Sequence, residues 1–284
     1  MDTKVVSTST SCLDYYSDAG EIDLIRIKIY IYGKEYIDGE NLSAYEFYEI
    51  LNKNPKFVPK TSQTSVGELV DYFKKLAQKG YKRVLVTTIS SQLSGTYNSV
   101  VQAQKIVKNE IEIIPYNTNT VGFSEGYFAL EGLRLFKQGA SVLEVLKHLD
   151  KIKANNTIFF VVNSLTQLIK NGRLTKTKGF LGRFFRVKPI LQLNDKGQIV
   201  MVEKTFSIDK AFYYIINQIK AYTKGRKYLL HLSFTGNPEL KKDFRAILKK
   251  ELNLINILEM PSSPSLGAHV GNNVVGVGII LQDI

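Results

Sequence analysis

Ser90 and Ser91, followed by Ser94-Gly95-Thr96, stand directly behind the β-branched run at residues 84–89. They stand directly ahead of a helical pattern through Val100, Val101, Ala103 and Ile106. A buried strand that hands over to a helix at such a cluster brings hydroxyl donors, free backbone N–H groups and the positive end of a helix dipole to one place. The chemistry on offer is the holding of an anion, since no nucleophile–base pairing is built into the segment. The same residue types also serve as ordinary caps and turns.

Four other polar segments fall where strands end or parts of the chain meet: residues 7–11 (STSTS), 59–63 (PKTSQ), 171–173 (NGR) and 267–271 (GAHVG). Hydroxyls from the first two and from the Ser90 loop, the Arg173 guanidinium and the His269 imidazole would together suit one carboxylate or phosphate. Taken singly, Thr61-Ser62 reads as a helix-entry turn, Arg173 as a surface arginine after a turn, and His269 as a loop histidine. A second reading makes the chain a lipid ester or thioester hydrolase, with Ser90, Ser91 or Ser94 as nucleophile and His269 as base. The G-x-S-x-G elbow that such chemistry favours is missing around Ser94, where the residues are QLSGT.

The elements that must position these groups alternate strand and helix through the first half. A strand at residues 4–6 leads into the hydroxyl-rich segment, and residues 24–32 (LIRIKIYIY) alternate as one half-covered strand, with residues 35–37 pairing back as a hairpin arm. Ser43 with Glu46 three residues on forms a capping box, Thr64 or Ser65 caps a helix over 66–79, and Ser141 caps one over 142–153. Further strands fall at 84–89 and 111–116, with a helix over 124–138 between the second of them and Ser141. This order predicts a parallel sheet sandwiched by helices. The second half mixes a hairpin at Asp195-Lys196-Gly197 with crossovers, which predicts a mixed sheet. Its strands fall at 157–162, 188–193, 199–205, 228–233, 255–260 and 276–281, its helices at 165–170, 209–220 and 238–251, and a loop at 261–269. The fold class is therefore α/β with two domains, 1–155 and 156–284, and a ligand between them.

Composition narrows the function classes. The chain has 284 residues, 44% hydrophobic and 23% charged, enough for a sizeable core and unlike a disordered protein. No apolar run approaches the roughly 20 residues of a bilayer span, and the N-terminus lacks the apolar centre of a signal peptide. Cys12 is the single cysteine, so neither an intrachain disulfide nor a metal cluster is expected, and a cytoplasmic location is the simplest expectation. The formal charge of +12 is mostly scattered lysine. One tract is concentrated: Lys170, Arg173, Lys176, Lys178, Arg183, Arg186 and Lys188, interleaved with Phe180, Phe184 and Phe185. Without zinc-finger, RRM or heptad spacing the tract does not specify nucleic acid, and no nucleic-acid partner is expected.

The joint order of the polar segments resembles the DegV family of bacterial fatty-acid-binding proteins, nearly end to end. The carrying residues are Tyr36 to Gly39, Leu42-Ser43, Phe47-Tyr48, PKTSQ at 59–63, SSQLSGTY at 90–97, LTQLIKNGRL at 165–174, KPIL at 188–191 and GAHVG at 267–271. What the resemblance implies is a lipid-binding protein of the DegV (EDD) fold, without catalysis, cofactor or metal of its own, clasping one long-chain fatty acid in an apolar tunnel. The implied site is Thr61, Ser62, Ser90, Ser91, Ser94 and Gly95 around the carboxylate, with His269 at the same end. Such proteins present the acid to a separate ATP-dependent fatty acid kinase, which makes acyl phosphate for phospholipid synthesis. Arg173 and its tract would face that kinase or the phosphate, and a transient membrane surface contact is a second expectation for the tract. Two acidic positions of the family pattern are here Thr8 and Asn117, which predicts a less acidic interior. A buried acyl chain contributes roughly 0.8 kcal/mol per CH₂, on the order of 10 kcal/mol for a 16-carbon tail before binding costs. The helical stretches 123–136 and 211–219 are expected to supply the tunnel wall.

Overall fold

The computed structural model describes residues 2–174 and 187–283. Of the basic tract, Lys176, Lys178, Phe180, Arg183, Phe184, Phe185 and Arg186 lie outside the described residues. In chain order the first part carries β1 (Thr3–Thr8), β2 (Asp23–Ile25), β3 (Lys28–Ile31), β4 (Lys34–Ile37), α1 (Ala44–Lys53), β5 (Lys60–Ser62), α2 (Val66–Gln78), β6 (Arg83–Thr88), α3 (Thr96–Val107), β7 (Glu112–Asn117), α4 (Phe123–Lys137) and α5 (Val142–Ala154). The second part carries β8 (Asn156–Val161), α6 (Thr166–Lys170), β9 (Lys188–Leu193), β10 (Ile199–Thr205), α7 (Ile208–Thr223), β11 (Tyr228–Phe234), α8 (Pro238–Leu252), β12 (Leu258–Pro261), α9 (Pro264–Val270) and β13 (Val275–Leu281).

Strand alternation sorts the apolar residues into layers. In β1 and β6, Val6, Val84 and Val86 face α2 and α3, while Val5 and Leu85 face the opposite side, toward α4 and α5. These strands belong to a four-stranded parallel sheet ordered β2-β1-β6-β7. A six-stranded mixed sheet ordered β10-β9-β8-β13-β11-β12 forms from the second part. In its central strand, Val275, Val277 and Ile279 pack outward against α7 and α8, where Phe212 and Phe244 stack at 4.2 Å. The core shared by Val5, Leu85, Phe128, Met260 and Ile280 joins the inner faces of both sheets through α4.

Helix entry follows the sequence closely. Ser43, Ser65 and Ser141 each accept from the backbone N–H three residues on, and Glu46, Glu68 and Glu144 close the three capping boxes. Two segments differ from expectation. Residues 24–32 are two strands in two sheets, not one: β2 joins the parallel sheet, and β3 centres a three-stranded antiparallel sheet ordered β4-β3-β5. The break is at Arg26, whose guanidinium is drawn to the Asp14 carboxylate at 2.6 and 2.9 Å while its carbonyl accepts from Thr64 Oγ1 at 2.8 Å. Residues 261–269 are not a loop, because Ser263 caps α9 with Pro264 in its first turn. The strand expected at 255–260 also starts later, as β12 at Leu258.

Candidate functional site

A cavity of about 360 Å³ lies against the inner face of the mixed sheet, reached also by β5 of the three-stranded sheet and by residues just beyond the strands of the parallel sheet. Its floor crosses β10, β9, β8, β13 and β11 through Ile199, Leu193, Ile158, Phe160, Gly276, Gly278 and His231. Four interstrand spacings give the floor a span of about 19 Å. Glycine on the inner face of β13 is what lets neighbouring side chains lie flat there. A Cβ at Gly276 would sit 2.7 Å from Phe160 Cβ, and one at Gly278 would meet the His231 ring.

At one end the lining turns polar. Thr61, on β5 beside Ile29, places its Oγ1 2.8 Å from His269 Nε2 on α9. The two residues are far apart in the chain, and α9 reaches β5 because Gly267 packs directly on Phe47 and Tyr48 of α1. Burial, reinforced by the charge of Arg173, pushes the His269 pKa down to about 4, so its imidazole is neutral at pH 7. Among the described residues its buried Nδ1 has no hydrogen-bond partner. Arg173 donates from Nε to Leu93 O at 3.1 Å and from Nη1 to Asn171 O at 2.5 Å. Among the described residues no carboxylate pairs with it, and it lines the same cavity. This end therefore offers a fixed positive charge, a neutral imidazole and the hydroxyls of Thr61, Ser62 and Ser94 to an anion.

The expected site residues divide into two groups. Thr61, Ser62, Ser94, Arg173 and His269 line the cavity, joined by Gln63, which had no assigned role although it ends the PKTSQ segment. Ser90, Ser91 and Gly95 are placed beside it. Ser90 Oγ donates to Gly197 O, Ser91 Oγ accepts from Asn117 Nδ2 at 2.8 Å, and Gly95 lies against the Gln63 side chain. The histidine that faces a serine is not the expected pair either: His231 Nε2 lies 2.8 Å from Ser124 Oγ, whereas Ser94 Oγ lies 2.9 Å from Thr96 Oγ1. The apolar faces of α4 and α7 are buried in the cores on either side of the mixed sheet; the lining carbon comes from β8, β9, β10, β13, α6, α9 and neighbouring loops instead.

The interior is also more acidic than expected. Glu125, in the first turn of α4, is fully buried; Thr8 Oγ1 donates to its Oε1, and Thr10 Oγ1 donates to its Oε2 at 2.7 Å. Burial raises its pKa to about 8. Asp38, likewise buried, accepts from Ser9 Oγ at 2.9 Å, and burial raises it to about 6. The threonine that stands where the family pattern has an acid thus binds a carboxylate from another element. A sequence offers no signal for that exchange.

A family model described as "Uncharacterised protein, DegV family" matches residues 2–282. The chain belongs to the DegV family. A DegV domain-containing protein of Staphylococcus aureus strain N315 is 28% identical over 278 residues, covering 97% of this chain and 98% of that one. The DegV lipid binding protein of Thermotoga maritima has a solved structure with a TM-score of 0.86 at 27% identity, covering 99% of each chain. DegV of Bacillus subtilis, a fatty acid binding protein, gives 0.87 at 26% identity, covering 99% of this chain and 100% of that one. The parallel sheet and the mixed sheet described above are the DegV architecture. Among the described residues no cluster of His, Cys, Asp or Glu is placed to hold a metal ion, and no helix is long and apolar enough to cross a membrane.

Proposed function

We propose that this DegV protein binds one long-chain fatty acid, with the carboxylate at the Thr61–His269 end and the acyl chain along the floor of the mixed sheet. The observation that carries this reading is the joining of Thr61 Oγ1 and His269 Nε2 at the polar end of an otherwise largely apolar slot. The lipid and fatty acid binding ascribed to the Thermotoga and Bacillus relatives supports it. With Nε2–H donating to Thr61, the threonine O–H is left to donate to the ligand, and Arg173 supplies the compensating charge. A carboxylate buried with such donors stays ionised and bonded.

In this reading residues 1–155 and 156–284 are the two units between which the acid lies. The protein acts as a carrier, and a separate ATP-dependent kinase does the chemistry. A carboxylate oxygen attacks the γ-phosphorus of ATP, ADP leaves, and an acyl phosphate remains, ready for phospholipid synthesis. Arg173 suits that step because its guanidinium stands by the head group without a carboxylate partner among the described residues. Titrating ligand-stripped protein with palmitic acid and with methyl palmitate tests the site. The acid is expected to bind one to one and at least tenfold tighter than the ester, the worth of charged hydrogen bonds. Equal binding of the two would remove the carboxylate site.

A further inference from the structure

An alkyl chain needs only carbon around it, yet the β11 side of the cavity is lined by His231, Ser233 and Ser262. The two serines lie diagonally on adjoining segments: Ser233 pairs with Met260 across β11 and β12, and Ser262, two residues beyond Met260, donates from its N to Phe234 O at 2.8 Å. Among the described residues no hydrogen bond engages the Ser262 hydroxyl. That of Ser233 has only a long contact, 3.4 Å, to His231 Nδ1.

We propose that Ser233 and Ser262 form a second polar subsite that selects an acyl chain bearing a hydroxyl along its length. This rests on the fatty-acid reading above and names the class of acid. The His231 ring is fixed by Ser124 Oγ on Nε2 and by its edge contact with Phe123, with centroids 5.3 Å apart. Whichever function Nδ1 presents, the Ser233 hydroxyl keeps hydrogen-bonding capacity toward the cavity. The Ser262 hydroxyl, with no partner among the described residues, can donate or accept to complement it. A ligand hydroxyl, which both donates and accepts, satisfies the two together. A methylene there would leave both unpaired, and unpaired buried polar groups are what give such sites their discrimination.

The subsite is separate from the head-group end. Leu93 and Val270, chain neighbours of Ser94 and His269, pack in the apolar cluster over β8 and β9. Ser233 stands on β11, with β13 between it and β8, so two interstrand spacings of about 10 Å intervene. One carboxylate does not serve both ends.

Ligand-stripped protein is titrated with stearic acid and with positional isomers of monohydroxystearic acid, then repeated with the Ser233→Ala/Ser262→Ala double variant. At least one hydroxy isomer is expected to bind about tenfold or more tightly than stearic acid. That advantage is expected to shrink below about twofold in the double variant, with stearic acid binding as well as before. If stearic acid binds and every hydroxy isomer binds equally or more weakly, the subsite is overturned and the fatty-acid reading stands. If neither kind of acid binds, both fall. Ser262→Ala alone, which removes no protein hydrogen bond among the described residues, is expected to reduce the preference in a protein of unchanged melting temperature.

Discussion

Ser90 donates through its hydroxyl to the carbonyl of Gly197 at 2.7 Å, tying the loop after β6 to the β9–β10 turn of the other large sheet. Gly197 sits at φ +76°, and a Cβ there would lie 2.2 Å from Ser90 Oγ. Both residues are buried. The hydroxyl most conspicuous in the sequence therefore joins two parts of the molecule.

Ser90→Ala leaves a buried carbonyl without its partner and is expected to lower unfolding stability by about 1–3 kcal/mol. Affinity for the acid should stay within about twofold, since the hydroxyl is directed away from the cavity lining. Denaturant unfolding and ligand titration on the same variant separate the two. Lost affinity at unchanged stability would return Ser90 to the head group.

Much of the fold was legible because its signals are local. The three S-x-x-E boxes, the glycine-containing hairpin turn and the alternation of strands with helices each depend on residues a few positions apart. The site was legible only as a set of candidate loops. Thr61 and His269 meet because α9 leans on α1, a contact decided by Gly267 against Phe47 and Tyr48. The exchange of partners at Thr8, Glu125, Ser124 and His231 links residues more than a hundred positions apart, and no spacing rule records it. Arg26 divides what period-two patterning reads as a single strand, because the pull of Asp14 comes from a turn earlier in the chain.

Gly267→Ala tests the seat of α9. The added Cβ would lie 2.5 Å from Tyr48 Oη and 2.8 Å from Phe47 Cε1, with Tyr48 Oη itself donating to Ser262 O at 2.9 Å. Overpacking of this kind typically costs about 1–3 kcal/mol. The shift it forces on α9 should separate His269 from Thr61, so acid affinity falls together with stability. A variant of wild-type affinity would show that the seat does not position the pair.

Glu125 gives stability a sign with pH. Its carboxyl is raised to about 8 by burial, against 4.5 ordinarily, so the folded form holds a proton at pH 7 that the unfolded chain has lost. Stability therefore falls as pH rises between those values. His231 and His269, pushed down to about 3 and about 4 by burial, act with the opposite sign, mainly below pH 7, where the unfolded chain's histidines take up protons. Asp38, raised to about 6, shares the sign of Glu125 and has nearly finished titrating by then. From pH 7 to 8, where the unfolded chain's histidines are mostly neutral, a loss of roughly 0.8 kcal/mol is expected, and Glu125→Gln should flatten it. A wild-type curve already flat in that window would contradict the buried, protonated carboxyl.

Arg173→Gln separates binding from transfer. The acid should still bind, weakened about tenfold by loss of the guanidinium. Acyl phosphate formation with a cognate kinase and ATP should fall much further at saturating acid. Transfer at the wild-type rate would place Arg173 outside the phosphate-bearing face.

Native mass spectrometry of the protein before and after incubation with palmitic acid bears most directly on the Thr61–His269 site. The expected spectrum shows one adduct of a single fatty acid mass on the wild-type chain, and little or none on a folded Thr61→Val/His269→Ala variant. No adduct on the wild type, or an adduct equally abundant on the variant, would contradict it.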